Sequence, residues 1–99
     1  MVLFRRVLGE VLRAARMRRG LTLRQVSAEA RVSPGYISEI ERGTKEASSE
    51  LLGSLCQALE LPLSDVLREV SDAAATEERT LAVAAAELGR SGDVVASAA

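Results

Sequence analysis

The chain has 99 residues with one Phe, one Tyr and no Trp, so it fits one domain whose core must be built from Leu, Val, Ile and Ala, and which dimerisation would help to stabilise. A lone cysteine excludes an internal disulfide and, without any histidine, leaves a zinc site improbable, while the lack of an apolar run of about 18 residues, or of one following Arg5 and Arg6, excludes a membrane span and a secretory signal. The net charge of −1 conceals a division: residues 1–45 carry ten Lys+Arg against four Asp+Glu, and residues 46–99 carry three against ten, which points to a polyanion partner for the first half only.

In chain order, Val7, Leu8, Val11, Leu12 and Ala15 repeat at three- and four-residue steps and predict a first helix over residues 3–19, with arginines on its other sides and Gly20 at its end. Gly9 inside it costs about 1 kcal/mol relative to Ala and marks a close helix approach. Thr22 caps a second helix over residues 23–30, with Leu23, Val26 and Ala30 on one face. Ser33-Pro34 opens a third, which runs to Arg42 and stops at Gly43, with Ile37 and Ile40 inward and Val32 plugging the turn. Helices this short hold only by packing. The third leaves Pro34, Gly35, Tyr36, Ser38, Glu39 and Arg42 outward, a small polar face suited to a major groove.

Ser48 or Ser49 caps a fourth helix with a stripe of Leu51, Leu52, Leu55, Ala58 and Leu59, and Cys56 beside it reads as a small core residue. Leu61-Pro62 breaks it, and Ser64 caps a fifth carrying Val66, Leu67 and Val70. From Ser71 the composition shifts to Ala. Leu81, Ala84, Ala85 and Leu88 form a narrow seam on a further helix over 71–90, which suits a dimer helix, with a partner-binding or partly disordered segment as the other readings. Residues 91–99 are expected to be a flexible tail. With no phosphate-cradling glycine loop, no nucleophile elbow and no carboxylate pair in an apolar setting, an enzyme is not expected, nor a metal or other cofactor.

At Val32–Gly43, VSPGYISEIERG, the chain resembles the Xre/Cro-type helix-turn-helix family of repressor-like DNA-binding domains. The resemblance covers about residues 7–68, with Arg16, Gly20, Leu21, Thr22, Val32-Ser33, Ile37, Ile40-Glu41-Arg42-Gly43 and Leu59 in register. Within that family, the string from Tyr36 to Leu67 is similar to regulators that activate genes of Clp-type, ATP-dependent proteolysis. The resemblance implies an all-α, five-helix repressor-like domain over 1–70 plus a C-terminal helix, in a cytoplasmic regulator that binds double-stranded DNA as a homodimer. Pro34, Gly35, Tyr36 and Glu39 become base-edge candidates, and Arg24, Ser33, Ser38, Arg42, Thr44 and Lys45 phosphate candidates. Packing over the end of the first helix is the other reading of Tyr36, and pairing within the fold, with Arg16, is the expectation for Glu41. Leu81, Ala84, Ala85 and Leu88 are the candidate dimer contacts, and the acidic half is expected to face away from DNA.

Three positions depart from the family pattern. Leu23 stands where a phosphate-touching Gln is common, so Arg24 or a backbone amide would take that contact. Ser27 replaces a small Ala. Arg31 replaces the turn glycine, so the turn either accepts a side chain at positive φ or changes shape. The end at Ala98-Ala99 is similar to tags read by Clp-type proteases, which makes such a protease a further expected partner. A protein-interaction module, antitoxin-like or an adaptor on the same fold, is the competing functional reading.

Overall fold

A computed structural model describes residues 3–89 in full and, of residues 90–98, only the helical backbone, so the side chains of the tail expected at 91–99, Ala98-Ala99 included, lie outside the described residues. Five helices and no strand occur among the described residues: α1 (Val2–Arg18), α2 (Leu23–Ala30), α3 (Pro34–Glu41), α4 (Ser49–Ala58) and α5 (Leu63–Ala98). The chain thus has the expected all-α, five-helix repressor-like architecture. α1 packs on α3 and α5, and α2 on α3 and α4. Val7, Leu8, Val11, Leu12 and Ala15 of α1 meet Val26, Ile37, Ile40, Leu55, Cys56, Leu59 and Val66 in one core. Burial pushes the Cys56 thiol up, which disfavours the thiolate and leaves the side chain as packing.

The helix starts follow from their caps. Thr22, Ser33 and Ser48 each accept a hydrogen bond from the amide three residues on. At α2 the bond is reciprocal, because the Gln25 side chain also accepts from the Thr22 amide at 2.7 Å, completing a capping box. α5 corrects the expected cap at Ser64. The helix already includes Leu63, and the Pro62 carbonyl accepts from the Asp65 and Val66 amides.

All four helix-to-helix turns end the same way. A residue at positive φ (Gly20, Arg31, Gly43, Glu60) precedes one whose amide reaches back five residues, as in Leu21→Arg16, Val32→Ser27, Thr44→Glu39 and Leu61→Cys56. Arg31 and Glu60 do this without glycine, at a cost of about 1–2 kcal/mol each. The Ser27 hydroxyl helps to hold the Arg31 turn by donating to the Val32 carbonyl. The two departures Ser27 and Arg31 are therefore one local solution, in which the side chain at positive φ is tolerated.

The separate sixth helix expected from the shift to Ala at Ser71 does not occur. α5 continues through Val70, Ala73 and Glu77 without a break, so the C-terminal helix is its extension. The composition changes because packing stops, since every residue from Glu78 to Gly89 is exposed.

Two contacts fix α3 on α1. At Gly9 the helices cross so closely that a Cβ would lie 2.3 Å from the Ile40 carbonyl oxygen and 2.6 Å from that of Glu41. Beside the crossing, Arg16 Nε and Nη2 donate to the two Glu41 carboxylate oxygens at 2.7 and 2.9 Å, and Nη1 donates to the Leu21 carbonyl at 3.0 Å. The two side chains are only 12% and 7% exposed. Hydrogen bonding to Glu41, aided by its charge, raises the guanidinium above its ordinary range against the opposing effect of burial.

Gly9→Ala should lower stability by about 1–3 kcal/mol through overpacking against backbone. Gly53→Ala, where a Cβ meets nothing within 4 Å, should raise it by up to about 1 kcal/mol, with urea unfolding as the measurement for both. Glu41→Leu should cost about 3–5 kcal/mol by stranding Arg16, and adding Arg16→Met should restore much of that loss, as read from the double-mutant cycle.

Candidate nucleic-acid interface

α3 is an eight-residue helix whose outward surface is what its neighbours leave over. Ile37 and Ile40 point into the core, while Pro34 and Gly35 are exposed and Ser38 and Glu39 are half-buried. The tip of the helix is therefore small and uncharged. Pro34 lacks an amide, and a Cβ on Gly35 would meet nothing within 4 Å, so this end can approach another surface closely.

The internal hydrogen bonds sort the candidate residues. Ser33 Oγ accepts from the Tyr36 amide and Ser38 Oγ accepts from Arg42 Nη1, so both hydroxyl protons remain available to an acceptor outside the chain. Tyr36 differs. Its hydroxyl donates to the Glu46 carbonyl at 3.0 Å, which lays the ring against the α3–α4 loop and leaves it partly buried on the core. Only the ring edge is then free for an apolar contact. Thr44 also turns inward, its hydroxyl and amide both donating to the Glu39 carbonyl at the end of α3. Arg24 and Lys45 are exposed, and neither they nor Arg42 make an ion pair among the described residues. Leu23, at the position of the family's Gln, is partly buried against the core.

The charge division has a structural basis that composition did not show. Three carboxylates of the acidic half neutralise arginines of α1 and of the turn after it: Glu77 with Arg6 at 2.7 Å, Glu69 with Arg18 at 3.2 Å and Glu60 with Arg19 at 2.9 Å. Arg19 also donates to the Leu59 carbonyl. Much of the acidic half thus docks on the back of α1. Cations without a carboxylate partner among the described residues are Arg5, Arg13, Arg24, Arg31, Arg42 and Lys45, from α1 to the loop after α3, and Arg79 on the exposed stretch of α5. Arg5 and Arg13 were not singled out from the sequence. Their four-residue spacing on either side of Gly9 was the available signal.

The space under the Arg16–Glu41 pair, lined by Leu12, Val26, Ile37 and Leu55, amounts to about 10 Å³, at most one water. The candidate dimer residues Leu81, Ala84, Ala85 and Leu88 are all exposed, Leu81 by 54% and Leu88 by 74%, on the part of α5 that touches no other helix.

Comparison with known proteins agrees with this geometry. A family model described as a helix-turn-helix domain matches residues 7–70. The transcriptional regulator ClgR of Mycobacterium tuberculosis is 61% identical over 77 residues, which span 78% of this chain and 69% of that protein. The crystal structure of the clp gene regulator ClgR from Corynebacterium glutamicum superposes with a TM-score of 0.78 at 46% identity, covering 84% of this chain and 88% of that one. The restriction-modification controller protein C.AhdI from Aeromonas hydrophila is more distant, with a TM-score of 0.58 at 25% identity over 66% of this chain and 92% of its own. The chain belongs to the helix-turn-helix domain family, and within that family it is similar to the ClgR-type transcriptional regulators.

Proposed function

We propose that the chain is a sequence-specific DNA-binding transcriptional regulator that reads two half-sites as a homodimer and activates genes of Clp-type proteolysis. One observation carries the DNA-binding part. The outward face of α3 has an uncharged tip, and the cations around it have no carboxylate partner among the described residues. An uncharged tip enters a major groove without repelling phosphates, and free cations at its margins neutralise them.

Pro34, Gly35 and Glu39 then face base edges, with Glu39 accepting from a cytosine amine and Pro34 or the Tyr36 ring touching a thymine methyl. Arg24, Ser33, Ser38, Arg42 and Lys45 hold phosphates and so set register rather than sequence preference. Thr44 acts chiefly as the terminator of α3, since its hydroxyl proton is already committed. The division into a reading domain (1–70) and a dimerisation element (71–90) is supported by the loss of intrachain packing beyond Glu77. The Clp target genes follow from likeness to the C. glutamicum clp gene regulator.

A palindromic duplex selected from a random pool is the test. Binding should weaken steeply between 50 and 200 mM salt, with half-sites about one helical turn (~34 Å) apart. Glu39→Ala should cost about 1–3 kcal/mol and relax preference at one base position per half-site, with unfolding unchanged. No duplex binding at low salt would favour the protein-interaction alternative.

Leu81→Asp with Leu88→Asp should convert the dimer to a monomer in sedimentation and abolish cooperative binding to the two half-sites, while single half-sites are still bound weakly. A variant that stays dimeric would move the interface off this seam.

A further inference from the structure

Arg5, Gly9 and Arg13 recur at four-residue intervals and so share one face of α1. Gly9 is where that face meets the last turn of α3. A rise of about 1.5 Å per residue sets Arg5 and Arg13 about 6 Å to either side of the crossing and about 12 Å apart along the axis. That separation is comparable to the width of a major groove, about 12 Å.

The two arginines open into different clefts, with the end of α3 between them. Arg13 lines a wide cleft of about 650 Å³ together with Ser38 and Arg42. Arg5 lines a second cleft with Phe4, Ile40 and, from the loop that follows α3, Lys45, Glu46 and Ala47. Neither arginine makes an ion pair among the described residues, although Arg6, Arg16 and Arg18 of α1 and Arg19 just after it all do. The acidic neighbours do not compensate. Glu10 is held by Arg6 at 3.1 Å and Glu41 by Arg16, while Glu46 lines the Arg5 cleft without pairing to it. Arg5 Nε is also buried without any hydrogen-bond partner.

A purely structural role would have these arginines neutralise the negative end of α3. Three of the four last carbonyls are already occupied: Ser38 by the Arg42 amide, Glu39 by Thr44, and Ile40 by the Gly43 amide, and that of Glu41 faces Gly9. We infer that Arg5 and Arg13 are a matched pair of phosphate-binding residues that straddle the end of α3. The Arg13–Ser38–Arg42 cleft takes a phosphate of one DNA strand, and the Arg5–Lys45 cleft takes one of the strand across the groove. The inference rests on the DNA-binding reading and adds α1 to the interface as a bar laid across the groove behind the reading helix.

The test is the salt dependence of duplex binding by the full chain carrying Arg5→Gln, Arg13→Gln or both. Each single change should reduce the slope of log affinity against log salt by about 0.9, and the double change by about 1.8, equally on the selected duplex and on a scrambled one. Arg13→Lys should retain the slope. Arg18→Gln, on the side facing α5, should leave it unchanged, and thermal unfolding of all the variants should match the parent. An unchanged slope in either single variant, or a loss confined to the selected duplex, overturns the inference. Absence of duplex binding by the parent chain would instead remove the reading on which it rests.

Discussion

One guanidinium organises the reading unit. Arg16 spends three of its five donors on partners from two other elements: both carboxylate oxygens of Glu41 in α3, and the Leu21 carbonyl in the α1–α2 turn. A planar fork matched to a carboxylate fixes orientation as well as distance. It does so next to Gly9, where backbone meets backbone, so α3 can neither slide along α1 nor lift from it. An eight-residue helix has almost no stability of its own, and the direction in which α3 presents Pro34, Gly35 and Glu39 is therefore a property of this clamp and of the core beneath it.

The electrostatics follow from where that clamp leaves the remaining charges. α1 carries arginines on several sides, and the fold deals with each side separately. Those facing α5 and the α4–α5 turn are neutralised by Glu60, Glu69 and Glu77, and one is locked to Glu41. Each exposed pair contributes little to stability, on the order of a few tenths of a kcal/mol. Their effect lies in the field. They cancel three positive charges and leave Arg5, Arg13, Arg24, Arg31, Arg42 and Lys45 without a carboxylate partner among the described residues, so a chain of net charge −1 still carries a set of unpaired cations in its first half.

The parts of the fold legible in the sequence were those written in side chains with one dominant use. Thr22, Ser33 and Ser48 mark helix starts because a short hydroxyl serves an orphan amide, and Gly20 and Gly43 mark ends because only glycine reaches positive φ freely. The turn at Glu60 carried no such mark. Its strain is offset by the amide of Leu61 reaching back to Cys56 and by Leu61 settling on the core, contacts that exist only after folding. The run of α5 beyond Val70 carried no such mark either, because a shift in composition is not a helix boundary. Its change to Ala, Glu and Arg records the loss of a packing partner, whereas the helix continues because nothing there disfavours it. At the site, the outward side of α3 could be read from the inward spacing of Ile37 and Ile40. The α1 arginines could not, because a cation's neighbours across a helix crossing depend on the crossing itself.

The same geometry separates what can vary from what cannot. The side chains of Pro34 and Glu39 make no hydrogen bond among the described residues, and Gly35 has open space where a Cβ would stand, so substitutions there change the outward face of α3 with little cost to the core. Tyr36 and Thr44, one turn away, each close a turn through a backbone carbonyl and are bound to the fold as well as to the surface. On the proposed reading, substitutions at the three positions Pro34, Gly35 and Glu39 change base preference while Gly9, Arg16 and Glu41 hold the angle of α3 on α1. The long exposed end of α5 extends that logic. On the proposed dimer reading, pairing through Leu81 and Leu88 shares no residue with α3, so affinity gained by joining two modules is adjustable without disturbing what either module reads.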